Sequence, residues 1–151
     1  MRIEEIAVRP AVTAAPGTSI AEAARLMANE AVGCLIIAEN ERIVGIVTDR
    51  DLVVRAIAKR VALDTRVDDI MSMNVIALDA GADIRDALRA FSMHAVRRLP
   101  VVVRGKVTGL LSLDDLVVVL SKQFGELTQG VAAQLLFPHA YDEASPPAKV
   151  A

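Results

Sequence analysis

Aromatic side chains are nearly missing from this 151-residue chain. They make up 3% of it, against 54% hydrophobic residues in all, so the core must be filled with Val, Leu, Ile and Ala. Such a core suits tightly packed helices and strands. Cysteine is just as scarce. Cys34 is the only one, which excludes an internal disulfide, and its place beside Gly33 and Leu35 at the entry to an apolar strand points to a buried thiol. A formal net charge of −2 leaves no electrostatic footprint for nucleic acid or an anionic membrane surface, and direct binding to either is not expected. No apolar run approaches the ~20 residues of a membrane span. The opening Met1-Arg2-Ile3-Glu4-Glu5 is acidic where a signal peptide needs a basic region and then an apolar stretch, so a soluble, reducing, cytoplasmic setting is expected. His94 and His139 lie far apart, and no metal site is expected from them, because a site needs several convergent ligands. No nucleophile stands beside a recognisable base and orienting acid. No catalytic residue is therefore assigned, and the chain is not read as an enzyme.

What the chain does have is a copy of itself. Shifted by 64 residues without a gap, Gly45-Ile46-Val47-Thr48-Asp49-Arg50-Asp51 lands on Gly109-Leu110-Leu111-Ser112-Leu113-Asp114-Asp115, and both read Gly-apolar-apolar-hydroxyl-x-x-Asp. The same register repeats Gly17 as Gly81, Ile20 as Ile84, Ala23 as Ala87, Val32 as Val96, Leu35 as Leu99 and Leu52 as Leu116. The length allows two half-domains that share a core, and two copies of one unit are best read as a pseudo-symmetric pair whose apolar faces cover each other.

Each copy reads as strand, helix, strand, strand, helix. Ala11-Val12-Thr13-Ala14 is a short strand that stops at the Pro16-Gly17 turn. Ser19 and Asp83 each place a side-chain acceptor before a helix, with Glu22 or Asp86 three residues on. Ile20, Ala23, Ala24, Met27 and Ala31, and in the second copy Ile84, Ala87, Leu88, Phe91 and Ala95, fall at helical spacing. Hairpin spacing follows, with Asn40-Glu41 and Arg104-Gly105 at the turns. Closing helices are predicted over 51–60 and 115–122, a further short helix over 124–137, and a loose tail from Pro138. The resulting division is a first repeat at 8–60, a linker and entry to the second repeat at 61–72, a second repeat at 73–122, and a partly disordered extension at 123–151.

The chemistry of the repeated motif is legible. A strand Gly lets backbone approach closely. A Thr or Ser beside a helix start donates to an oxygen near exposed amides, and an Asp in the first turn accepts two hydrogen bonds from vicinal hydroxyls. Asp51 and Asp115 are thus candidate ribose clamps, with Thr48 and Ser112 beside them. The plain alternative is a helix-capping role for all four, with each carboxylate adding about 0.3–1 kcal/mol at its helix N-terminus.

These residues, with Arg97-Arg98-Leu99-Pro100-Val101-Val102, resemble the paired cystathionine β-synthase (CBS) domains, or Bateman module, over about residues 8–121. The resemblance implies an α/β (α+β) fold of two pseudo-symmetric β-α-β-β-α units packed sheet to sheet, with two clefts that take adenine nucleotides or related adenosyl ligands. One cleft would combine Leu110, Ser112 and Asp115 with Val12, Val32 and Gly33; the other, Ile46, Thr48 and Asp51 with Ile76, Val96 and Arg97. Arg97 and Arg98 are the phosphate candidates, since guanidinium forks match phosphate oxygens. Their counterparts Gly33 and Cys34 carry no charge, so the clefts are expected to be unequal. The chain departs from the family where Ile36 follows Leu35 in place of a common Pro, and where Val103 stands in place of a frequent acidic residue. The function implied is a regulatory, ligand-sensing homodimer that binds AMP, ATP or another adenosyl compound, with no separate cofactor, and signals to an effector protein. The alternative is a ligand-free scaffold.

Overall fold

The computed structural model describes residues 1–6 and 8–136. The tail expected from Pro138 onward lies outside the described residues. The chain divides into two compact units, Met1–Leu113 and the segment from Asp114 onward. In the first, a 3-10 turn (Ile3–Glu5) precedes β1 (Thr13–Ala14), α1 (Ile20–Asn29), β2 (Cys34–Glu39), β3 (Arg42–Thr48) and α2 (Asp49–Asp51), which runs on as π-helix (Leu52–Ile57). A second 3-10 turn (Val67–Asp69) then leads into β4 (Leu78–Asp79), α3 (Ile84–His94), β5 (Arg98–Val103) and β6 (Lys106–Ser112). Two three-stranded sheets result, β1-β2-β3 and β4-β5-β6, each with a parallel first pair and an antiparallel second. Both hairpins slip register at equivalent points, Ile37/Ala38 and Val101/Val102.

Local chemistry accounts for these elements. Ser19 Oγ accepts from the Glu22 amide at 3.1 Å and caps α1. At α3 the Asp83 carboxylate accepts from the Arg85 amide at 3.0 Å, while Asp86 Oδ2 accepts from the Asp83 amide at 3.2 Å, closing a capping box. Hydrogen bonds from the Arg85 side chain and backbone hold the Asp83 carboxyl down to about 2. Asn40, Glu41, Arg104 and Gly105 all have positive φ, as two-residue hairpin turns of the primed kind require.

Three helix expectations need correction. Ala31 and Ala95 do not extend the helical faces: both adopt left-handed backbone, with φ of 52° and 50°, and end their helices as exposed residues. The helix expected over 51–60 starts earlier, at Asp49, and is π-helical from Leu52 to Ile57, with Arg60 at φ 55° beyond it. The two helices expected over 115–122 and 124–137 are one, α4 (Leu113–Leu136), which from Asp114 on forms the described part of the second unit. Gly125 and Gly130 do not break it. An interior glycine costs about 1 kcal/mol against alanine, less than starting a second helix.

The lead-in to each repeat belongs to the other repeat. The 3-10 turn at Ile3–Glu5 donates from Ile3 N to Ala82 O and from Glu4 N to Ala80 O, both at 2.9 Å, beside the start of α3. Its counterpart 64 residues on, Val67–Asp69, donates from Val67 N to Thr18 O at 2.8 Å, beside the start of α1. Ile3 and Val67 are both fully buried, and Val67 and Ile70 join Ile20, Leu35 and Val47 in one core. The lead-ins then cross the sheets: Arg9 pairs with Leu110 on β6, and Ser72 with Ile46 on β3. This crossing explains the motif glycines. A Cβ on Gly45 would run into the Met71 side chain, and one on Gly109 into Val8.

Candidate functional site

β3 ends at Thr48 and the chain turns into helix at once. Thr48 Oγ1 accepts from the Asp51 amide at 3.2 Å, and Asp51 Oδ2 accepts from both the Thr48 amide and the Thr48 hydroxyl at 2.9 Å. This closed capping box turns the Asp51 carboxylate toward the strand end. Its side chain is 17% exposed, and Arg55 Nε stands 3.4 Å from Oδ1. The Arg55 guanidinium also reaches into the lead-in of the second repeat, where Nη1 donates to Ile70 O at 2.9 Å and to Ser72 Oγ at 3.1 Å. Arg55 was absent from the sequence-derived candidates. An acid followed four residues later by a base on a helix is a signal that would have found it.

Gly33 and Arg98 meet at a second point. Gly33 O accepts from the Asp49 amide at 3.1 Å, and a Cβ at Gly33 would stand 2.9 Å from Asp49 Oδ2 and 3.5 Å from Arg98 Nη2. Carboxylate and guanidinium thus close over the backbone at this glycine. The neighbouring Cys34 is buried, and that burial pushes its thiol up to about 11, with Arg98 opposing and Asp49 and Asp51 adding to the rise. The thiol is therefore protonated at neutral pH and has little nucleophilic character.

Among the other candidates, Ile46 and Leu110 are half-buried and carry the crossing pairs with Ser72 and Arg9. Val12 O accepts from Ile36 N at 3.0 Å and Val32 N donates to Met27 O at 3.0 Å. Both side chains are half-buried. Ile76 precedes β4 and Val96 precedes β5, each half-buried, and Arg97 O accepts from Leu113 N at 2.9 Å. Ser112 is the register partner of Arg98 on β5, and Asp115 lies half-buried in the first turn of α4. Arg98, the first residue of β5, stands beside Gly33 and Asp49, while Arg97 lies just before the strand. Among the described residues no group of three His, Cys, Asp or Glu could hold a metal ion, and no helix is long and apolar enough to cross a membrane.

Two sheets of one topology, crossed lead-ins and a strand-to-helix turn in each copy define a tandem domain pair. The CBS domain model matches the chain twice, over residues 3–57 and 67–122, and the chain belongs to the CBS domain family. The CBS domain-containing protein YhcV of Bacillus subtilis is 33% identical over 106 residues, 70% of this chain and 76% of that protein. The CBS domain protein PAE2072 of Pyrobaculum aerophilum, solved in complex with AMP, superimposes with a TM-score of 0.70 at 28% identity, covering 76% of this chain and 89% of that one. The CBS domain pair of protein MJ0100, in complex with 5′-methylthioadenosine and S-adenosyl-L-methionine, gives 0.69 at 26% identity and covers 83% and 97%.

Proposed function

We propose that the chain is a non-catalytic, cytoplasmic regulatory module that binds an adenosine-containing ligand, AMP, ATP or another adenosyl compound, and signals to a protein partner. The observation that carries this reading is the half-buried Asp51 carboxylate, held at the end of β3 by Thr48. A carboxylate so placed accepts from the two hydroxyls of a ribose. The AMP bound by PAE2072 and the adenosyl ligands bound by MJ0100 support it. The cleft assigned to Asp51 is completed by Thr48, Ile46, Ile76, Val96 and Arg97. The second copy carries the same residue types at Leu110, Ser112 and Asp115, and Arg98, which stands beside Gly33, is a phosphate partner.

Calorimetry and thermal unfolding with AMP, ATP, S-adenosylmethionine and a GMP control test the proposal. An adenosyl ligand at a hundredfold excess over its dissociation constant is expected to stabilise the fold by about 2.7 kcal/mol. If none of the panel binds, the scaffold reading takes over; the closed capping box, which satisfies Thr48 and Asp51 without any ligand, favours it.

The module works as a homodimer. Val53, Val54 and Ile57 are 55%, 47% and 64% exposed on the helix after β3, an aliphatic cluster suited to burial in a partner surface. Val117 and Val118 are exposed in the second unit, whereas Leu52 and Leu116 are buried and take no part in such a contact. Sedimentation at micromolar concentration is expected to show a dimer, and a monomer alone removes this part of the proposal.

A further inference from the structure

Arg55 stands against the Asp51 oxygen that a ribose would need. Asp51 has about four acceptor positions. Two, on Oδ2, are taken by the Thr48 amide and hydroxyl at 2.9 Å, and Arg55 Nε lies against Oδ1 at 3.4 Å. Oδ1 is the oxygen left for a vicinal diol, and the guanidinium stands against it as an ion pair. The longest and weakest of the three contacts is the one that yields. Arg55 has somewhere to go: it lines a groove of about 440 Å³ together with Thr65 and Asp69, whose carboxylate offers another partner. It is also tied to Ile70 O and Ser72 Oγ, and Ser72 is the residue that pairs with Ile46 across the repeats. The π-helical segment that contains Arg55 replaces the regular helix found at the equivalent place in the second copy, where position 119 is a valine. Local π-geometry often accompanies functional positions in helices.

We propose that Arg55 is a positioning residue that competes with the ligand for Asp51, setting the affinity of that site and linking its occupation to the segment 70–72 that opens the second repeat. This rests on the reading of Asp51 as a diol clamp. The competition predicts a signature that a merely structural role does not produce, because only a ligand with both ribose hydroxyls has to displace the guanidinium.

The test is calorimetry with adenosine and 2′-deoxyadenosine on the parent, Arg55→Leu, Arg55→Lys and Asp51→Ala. Removing a partly buried ion pair at this position is expected to tighten adenosine about three- to tenfold in Arg55→Leu and to leave 2′-deoxyadenosine unchanged. Arg55→Lys lacks the Nε that meets Asp51 but keeps a donor for Ile70 O. It is expected to move adenosine in the same direction by a smaller factor, and it serves if the leucine variant does not fold. Hydrogen exchange at the Ser72 amide, which donates to Ile46 O at 2.9 Å, is expected to change with adenosine in the parent and not in Arg55→Leu. If Asp51→Ala loses adenosine while both Arg55 variants bind it as the parent does or more weakly, the competition is overturned and the clamp stands. Adenosine binding to Asp51→Ala at parental strength, or no binding of either nucleoside to the parent, removes the clamp and the inference together. Equal tightening of both nucleosides, or a Ser72 amide indifferent to adenosine in the parent, overturns the role assigned to Arg55.

Discussion

Replacing Ile3 by alanine is expected to destabilise the protein by about 2–5 kcal/mol, as large as a truncation at the centre of a core. Ile3 lies three residues from the N-terminus, where a side chain is ordinarily frayed and tolerant. Here it is 0% exposed, and the turn that carries it is bonded to Ala82 and Ala80 at the entrance to α3. The truncation leaves a cavity in a densely packed core, and the neighbouring side chains relax only partly into it. Val67→Ala, at the equivalent position beside α1, is expected to cost less because fewer methyl and methylene groups are removed. Urea unfolding followed by circular dichroism measures both. A change below about 0.5 kcal/mol for Ile3→Ala, the size of an ordinary surface substitution, would show that the N-terminal turn is not part of the folded unit.

The second large effect is on binding. Asp51→Ala is expected to weaken the site assigned to that residue by about 1.5–3 kcal/mol for each charge-assisted bond lost, or roughly tenfold to more than a hundredfold. The fold survives at a moderate cost. Asp51 is more than a first-turn carboxylate: it closes a capping box with Thr48 and pairs with Arg55. About 1–2 kcal/mol is the expected loss of stability, above the helix-dipole figure alone. Calorimetry with AMP and a parallel urea titration separate the two quantities. Undiminished AMP affinity together with the expected loss of stability would mean that Asp51 only caps its helix.

Much of this architecture follows from short-range patterns. The 64-residue register, the Ser19 and Asp83 caps and the hairpin turns at Asn40-Glu41 and Arg104-Gly105 each depend on side chains within a few residues of the backbone groups they satisfy. Ile3-Glu4-Glu5-Ile6 matches Val67-Asp68-Asp69-Ile70 in the same register, apolar-acid-acid-apolar, so the repeat begins earlier than the strand-based division at residue 8 supposes. Helix ends were harder. Ala31 and Ala95 continue an apolar spacing yet leave the helix, because the following strands, not alanine's own propensity, fix where the chain must turn.

The candidate site divides in the same way. Thr48 and Asp51 form a local pair, readable from a hydroxyl and a carboxylate three residues apart. The Arg55 bridge to Ile70 and Ser72 spans 15 and 17 residues and exists only because the second repeat's lead-in is folded onto the first. The meeting of Gly33, Asp49 and Arg98 likewise brings residues of both copies to one point. By itself, then, the sequence determined a doubled α/β unit with its caps, turns and aliphatic core, since these rest on periodicity and on contacts a few residues apart. The exchange of lead-ins, the π-helical turn and the partner of each charged side chain were decided by tertiary structure, because they depend on which distant backbone and carboxylate oxygens packing brings within reach.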